Sequence, residues 1–541
     1  MKIKCRKTTC LAVILLTLCL IAGCEEQAKI PKEPNEAASK IDAGTTIGSL
    51  AEVFAVNAIP VEGYAIVDGL NGTGSSECPT NLREYLKQYI LRKLPVQKMN
   101  VDEFINSLNT AVVMVDGVIP ASASKNQYFD IRVRALPGTQ TKSLEGGWLY
   151  GAELKAAGSF GLTIKVLAEA EGPIYIDTIE PSADKKVGYI LAGGKVLDDY
   201  KITLSLRYPD FKAAASIRDK LNERFGQNAA TALTAGQIQL KVPNRYKEQK
   251  QRFVPLIRSI YLLSTPQLTK QRIDTLVQEL ATAKNRYPSE IALEAIGNEC
   301  LDKLKPLLRS SDQRVRLSAA ICMLNLGSDT GLEALRESAM DISSPYRIDS
   351  LLAITAAAGR NEAAVISRKL LSDQSPMIRL TAYEQLRKLD DISITKEPIA
   401  RSFYLEQIAQ SPYKSIFVAR SDQPRIVLFG APIRCRENIF IQSADGNITI
   451  NAPPDQKYIS IMRKHPKRPN VIIQLKSSYE LSDIIRKLCE EPVKEKGEGP
   501  AGLNVSYGEM IALLKQMCEK GAVDAEFYPG PLPKIGTNFK K

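Results

Sequence analysis

The chain offers few residues that could do catalytic chemistry. Its one histidine, His465, lies in RKHPKRPN, so any serine or cysteine nucleophile would have only that imidazole as a base. Carboxylates are plentiful but show no recognisable catalytic spacing. A carboxylate pair acting on a glycosidic bond leaves no such signature, so that class stays open from sequence. Gly69, Gly72 and Gly74 follow a strand-like Tyr64–Val67, as a phosphate-binding loop would. They lack the Lys-[Ser/Thr] of a P-loop and the spacing of a dinucleotide fingerprint, so a structural turn is expected. Cys78, Cys300, Cys322, Cys435, Cys489 and Cys518 are scattered without a C-x-x-C pair, which argues against a zinc site. The sequence therefore predicts no enzyme, no cofactor and no metal. His465 with Lys464, Lys467 and Arg468 makes a basic patch, read as a solvated loop in preference to a contact with anionic cell wall or membrane.

The N-terminus carries a different chemistry. Lys2, Lys4, Arg6 and Lys7 precede an apolar run, Leu11 to Leu20, that is too short to span a bilayer. Leu20-Ile21-Ala22-Gly23-Cys24 follows and resembles the lipobox of bacterial lipoproteins. That resemblance implies cleavage before Cys24 and lipid on its sulfur, and several acyl chains would hold the protein on a membrane stably. Glu25 is not the aspartate associated with inner-membrane retention, which favours the outer membrane. Cys5, Cys10 and Cys19 leave with the leader. The formal charge of +12 falls by the four cations of the leader to +8. A basic surface outside the cytoplasm suits cell wall or membrane, and no aromatic-interleaved basic patch points to nucleic acid. The six remaining cysteines could pair in an oxidising compartment, with Cys489–Cys518 the favoured pairing. Residues 25–44, polar and Pro-containing, read as a flexible tether reaching on the order of 25 Å.

At 541 residues the chain needs several cores. In residues 201–243, Ile202, Leu204 and Leu206 alternate with polar residues and predict a strand. Asp210 can cap the helix that follows, Ala214, Ile217, Leu221 and Phe225 form its apolar stripe, and Gly226 stops it. Ile238, Leu240 and Val242 predict another strand. Further strands are expected over 64–67, at 131–135 and over 161–170, and a helix over 79–93. Trp148 reads as a partly buried packing residue.

These stretches, in order, resemble the bacterial flagellar P-ring protein family. The resemblance rests on Ile47, Leu50, Ala51 and Val53, then Gly63, Tyr64, Val67, Gly69, Leu70, Gly72, Thr73 and Gly74. It continues through Asn109, Ala111, Val113, Val115 and Pro120, Asp130, Ile131 and Val133, and Ser143, Leu144, Gly146, Gly147 and Leu149. Leu206, Pro209, Asp210, Phe211, Asn222, Phe225, Gly226, Val242 and Pro243 extend it. It resumes with Arg420, Ile426, Val427, Gly430, Gly446, Asn447, Thr449 and Ile450, and closes with Met510, Ile511, Leu513, Leu514, Met517, Gly521, Ala522, Val523, Ala525, Glu526 and Phe527. Ala65 and Pro424 depart from the pattern by replacing glycines.

Between the two stretches the sequence turns helical and repetitive. DQRVRLSAA, SSPYRIDSL and QSPMIRLTA place Arg316, Arg347 and Arg379 at spacings of 31 and 32. The pattern resembles short HEAT repeats, whose usual length is ~40 residues, and the arginines read as structural groups bonding the preceding turn. The resulting fold class is α+β, with ring-protein domains interrupted by an all-α HEAT-like solenoid. The expected divisions are a leader 1–23, tether 24–44, P-ring-like region 45–262, helical repeats 263–400, second P-ring-like region 401–530 and tail 531–541. The resemblance implies a self-associating periplasmic ring subunit around the flagellar rod. The lipobox and the helical insertion depart from that family, so a membrane-anchored scaffold whose repeats bind another envelope protein is the alternative.

Overall fold

The computed structural model describes residues 44–54, 57–93, 100–159, 161, 163–179, 183–454, 456–465, 468–492 and 502–535. Its class is α+β. Helix α1 (Ile47–Leu50) and strand β1 (Ala51–Phe54) open it, followed by β2 (Ile59–Asp68), α2 (Thr80–Lys93), α3 (Val101–Ile105), β3 (Ala111–Ile119) and β4 (Tyr128–Ala135). Then come β5 (Trp148–Ala156), β6 (Ala168–Pro173), β7 (Val187–Val196), β8 (Ile202–Leu206), α4 (Phe211–Phe225), β9 (Ala230–Thr234) and β10 (Gln237–Leu240).

Strands β2 to β7 close into a barrel in the order β2-β3-β4-β7-β6-β5. Alternation builds it: Ala65, Val67, Val113, Val115, Ile131 and Val133 fill the inside. Ile66 and Val112 point the other way, against Leu82, Tyr85, Leu86 and Ile90 of α2. A Cβ on Gly63 would sit 2.3 Å from the Glu153 carbonyl of β5, so closure between β2 and β5 needs glycine there. The strand expected over 161–170 is instead β6, starting at Ala168. Just before it, Leu167 N–H bonds Leu154 O at 2.8 Å and Lys165 pairs with Asp198 at 2.7 Å.

Strands β1, β8, β10 and β9 form a four-stranded antiparallel sheet in that order, with α4 on one face. Asp210 accepts from Lys212 and Ala213 N–H and caps α4, as its sequence predicts. Strand β9, which the sequence did not signal, pairs with β10 through a tight turn at Ala235–Gly236.

A 3₁₀ turn (Asn244–Gln249) and α5 (Lys250–Arg258) lead into α6 (Pro266–Thr282), α7 (Tyr287–Ile296), a 3₁₀ turn (Asn298–Cys300) and α8 (Leu301–Leu304). A further 3₁₀ turn (Lys305–Arg309), α9 (Gln313–Asn325), α10 (Asp329–Met340), α11 (Arg347–Ala357), α12 (Arg360–Leu370) and α13 (Pro376–Lys388) follow. These make four successive helix pairs, in which α7, α9, α11 and α13 touch in turn. The chain ends in β11 (Thr395–Ile399), β12 (Phe403–Ile408), β13 (Ser415–Val418), β14 (Arg425–Phe429), β15 (Ile439–Gln442), β16 (Ile448–Ala452), β17 (Ile459–His465), β18 (Arg468–Ser477), α14 (Leu481–Cys489), α15 (Tyr507–Glu519) and β19 (Glu526–Pro529). One five-stranded sheet runs β11-β12-β14-β13-β19, and a second runs β15-β16-β17-β18.

Strand β14 is buried on both faces. Ile426 and Leu428 join the core formed with α14 and α15, while Val427 and Phe429 join that of the last helix pairs. The helical array is thus packed onto the C-terminal sheet. At its other end it is pinned to the N-terminal sheet by buried charge. Arg252 of α5 bonds Glu294 through Nε at 2.7 Å and Glu290 through Nη1 at 2.7 Å, and Tyr246 donates to Glu294 at 3.1 Å. Burial raises the Glu290 carboxyl above the usual carboxylate range against the pull of Arg252.

Candidate functional site

The barrel and the C-terminal sheets enclose a cleft of about 1920 Å³. The barrel contributes the loop at Leu70–Thr73, the Ser143–Trp148 turn and the Pro173–Ile179 segment, and the C-terminal part contributes Arg463, Lys464, His465 and Ser506–Glu519. Trp148 is 43% exposed on this wall, more open than the packing residue its sequence suggests.

The two walls are joined by specific bonds. Arg420 pairs with Asp177 at 2.9 Å and donates to Gly530 O at 2.7 Å, while Tyr175 donates to the same Asp177 at 2.8 Å. The Asp130 carboxylate of β4 accepts the main-chain N–H of Ala192 at 2.7 Å and of Asp422 at 2.8 Å. Burial raises the Asp130 carboxyl, although these two N–H groups pull the other way. The rings of Tyr175 and Tyr507 meet at a tilt of 56° with centroids 5.7 Å apart. Lys515 reaches the Ile179 carbonyl at 3.2 Å.

Charges inside the cleft are largely spent on one another. Arg463 donates to Leu503 O at 2.5 Å and faces Glu509 at 3.2 Å, and Glu509 also accepts the Ser506 N–H at the start of α15. Lys185 pairs with Glu145 at 2.9 Å, and that bond raises its ammonium above the ordinary range. Of the basic patch read from the sequence, Lys464 and His465 line the cleft, Lys467 lies outside the described residues, and the main chain of Arg468 pairs with that of His465. Cys24 also lies outside the described residues. Among those described, no group of three or more His, Cys, Asp or Glu side chains could hold a metal, and no helix is long and apolar enough to cross a membrane.

The glycine loop is a turn made of backbone. Gly69 and Gly72 have φ of +84° and +88°. A Cβ on Gly74 would lie 2.0 Å from Thr110 O, so the chain passes too close for any side chain. The repeated arginines bond carbonyls of preceding turns. Arg316 donates to Ser310 O at 2.5 Å, Arg347 to Ala339 O at 3.0 Å and Arg379 to Asp373 O at 2.9 Å. Sequence reading missed a fourth, Arg286, which donates to Leu280 O at 3.1 Å and pairs with Asp312 at 2.7 Å. It sits 30 residues before Arg316, so the period itself pointed to it. The favoured Cys489–Cys518 bond is not formed. All six described cysteines are free thiols, and Cys518 has Cys435 as its neighbour instead. Cys489 is turned into the core beside α15, where burial holds its thiol well above the usual range.

Barrel, adjoining sheet and the start of the helical array together coincide with a known family. Residues 46–274 match the family model described as Flagellar P-ring protein. The chain is 32% identical over 213 residues to the Flagellar P-ring protein of Thermotoga maritima, covering 37% of this chain and 61% of that protein. It is 33% identical over 215 residues to that of Thiobacillus denitrificans (36% and 56%) and 29% identical over 222 residues to that of Helicobacter pylori (40% and 60%). The chain thus spans about three-fifths of the length of the curated relatives it matches.

Proposed function

We propose that the chain is a structural, non-catalytic subunit of the flagellar P-ring type that assembles with copies of itself into a ring around the rod, in the periplasm. The observation that carries this reading is the family match over residues 46–274, which takes in the whole barrel and its neighbouring sheet. We read residues 410–530 as the rest of the ring-type part, which the 2.9 Å contact between Arg420 and Asp177 supports by seating it on the barrel. Ring closure would come from head-to-tail contacts between copies. Cys24 is the proposed lipid site, on the outer membrane, with residues 24–44 as tether. The four helix pairs between the ring-type parts are read as a HEAT-like array that presents a protein-binding surface. The +8 charge of the processed chain would suit anionic cell wall.

The array supports a second reading, a membrane-anchored envelope scaffold outside any flagellum. Ile342 and Met377, on two successive helix pairs, are 78% and 60% exposed. Light scattering and negative-stain microscopy on the processed protein, with Cys24 replaced, test the first reading. Closed rings of uniform diameter support it, and a monomer at high concentration with normal swimming after gene deletion favours the scaffold. Mass spectrometry of the N-terminal peptide reads lipid on Cys24 directly.

A further inference from the structure

The second helix pair is built differently from the others. The first helices of the other pairs, α6, α10 and α12, run 17, 12 and 11 residues. In the second pair this place is taken by the four-residue α8 and a five-residue 3₁₀ turn, with Pro306 at the start of that turn. So short a helix cannot hold its own shape, and Pro306 removes a main-chain donor. The 3₁₀ turn that leads into it touches α7, the helix that carries Glu290 and Glu294 of the cluster that pins the array.

Two thiols bracket it. Cys300 ends the 3₁₀ turn before α8, and Cys322 stands on α9. Both are wholly buried in one apolar core with Leu280, Leu293, Leu304 and Met323. Each thiol is the strongest influence on the other's proton, and Cys300 also donates to Gly297 O at 3.1 Å. The two thiols are thus neighbours in one sealed core at the base of the weak segment.

We propose that Cys300 and Cys322 form a disulfide that staples α9 to the turn preceding α8. The proposal rests on export of the chain to an oxidising compartment, as read above. Folded, the thiols are sealed from solvent, and the neighbouring Cys300 together with burial holds the proton on Cys322. The link must then form while the segment is still open, through a dithiol–disulfide oxidant. The Cys300 thiolate attacks one sulfur of the oxidant's disulfide, that bond breaks, and the oxidant's other sulfur leaves as a thiolate. The Cys322 thiolate next attacks Cys300 Sγ, forming the new S–S bond and releasing the oxidant's second sulfur. The chain gives up two electrons and two protons, and the oxidant ends as a dithiol. Closing the loop removes freedom from the unfolded chain, which is what a segment without a full helix needs.

The test uses the full chain with its own leader, recovered from the envelope fraction, denatured and alkylated with N-ethylmaleimide without reductant, then digested and mapped by mass. The expected result is a joined pair of peptides carrying Cys300 and Cys322, lighter by two hydrogens and separated by dithiothreitol, with no alkylation at either residue. A cut leader with both residues alkylated overturns the disulfide and leaves export standing. An uncut leader overturns export, and the pair is then decided by refolding the purified chain in a glutathione redox buffer. Formation of the same joined peptides supports it, and recovery of both thiols overturns it. The variant Cys300→Ala with Cys322→Ala keeps the fold in reach and must lose the joined species.

Discussion

Arg420 and Asp177, 243 residues apart in the chain, are 2.9 Å apart in space, and their side chains are 14% and 11% exposed. The pair fastens the C-terminal part to the barrel after the helical array has intervened. Breaking one side of a buried pair leaves the other charge stranded, at a cost of about 3–5 kcal/mol. Arg420→Met should therefore lower stability by that order in urea unfolding, and Asp177→Asn added to it should recover part of the loss. An Arg420→Met protein as stable as the parent would show that the contact does not hold the two parts together.

A buried carboxylate pair at the other end of the array invites the same reasoning with a different readout. Glu290 and Glu294 both depend on the Arg252 guanidinium, and Glu294 is wholly buried. Arg252→Leu should cost about 3–5 kcal/mol at neutral pH. Burial already raises Glu290, and without Arg252 it would take up a proton at still higher pH. Its folded value then lies above the unfolded one, so the variant should regain stability as pH falls through that folded value. Urea midpoints measured from neutral to mildly acid pH check the sign: a variant whose deficit is constant with pH refutes the assignment.

Much of this fold could be read from the residues, and what escaped has a physical cause. The cap at Asp210, the stripe of Ala214, Ile217 and Leu221 and the alternation in Ile202, Leu204 and Leu206 are local signals, and each produced its element. Barrel closure is not local: Gly63 reports it only once Glu153 is known to lie opposite. Strand β14 hid its two-sided burial because Ile426 to Phe429 are apolar throughout, which suits either a buried strand or a helix segment. The cleft combines Trp148 with His465, residues that no spacing connects. Glu290 and Glu294 carried a missed signal, since two acids four apart inside the apolar run SEIALEAI require a buried cation.

Acid should loosen the end of the array through Asp391. A hydrogen bond from Arg368, helped by the Ser393 N–H, holds its carboxyl at about 2. The unfolded value is about 3.9, so the folded form is the stronger acid. Its contribution is complete above the unfolded value and is lost as pH falls from about 4 towards 2. Arg368 is 38% exposed, so screening by water limits the contribution to about 1 kcal/mol. Asp391→Asn should flatten this acid limb and leave stability above pH ~5 lower by that amount.

Two equivalent contacts in the helical array allow burial to be weighed against geometry. Arg286 pairs with Asp312, and Arg347 with Asp373, each 26 residues on, and each arginine also donates to a carbonyl at the end of the preceding helix. The carboxylates differ in setting: the Asp312 side chain is 45% exposed and that of Asp373 only 12%. Both also accept a main-chain N–H two residues on, from Arg314 and from Ser375. Serine at either position keeps an oxygen for that N–H and removes the charge. Asp312→Ser should then cost no more than about 1 kcal/mol, since water replaces the carboxylate at Arg286. Asp373→Ser strands Arg347, itself 8% exposed, and should cost about 3 kcal/mol or more. Urea unfolding of the two variants side by side decides the point, because equal losses would mean that the shared geometry, and not the burial, sets the strength of these rungs.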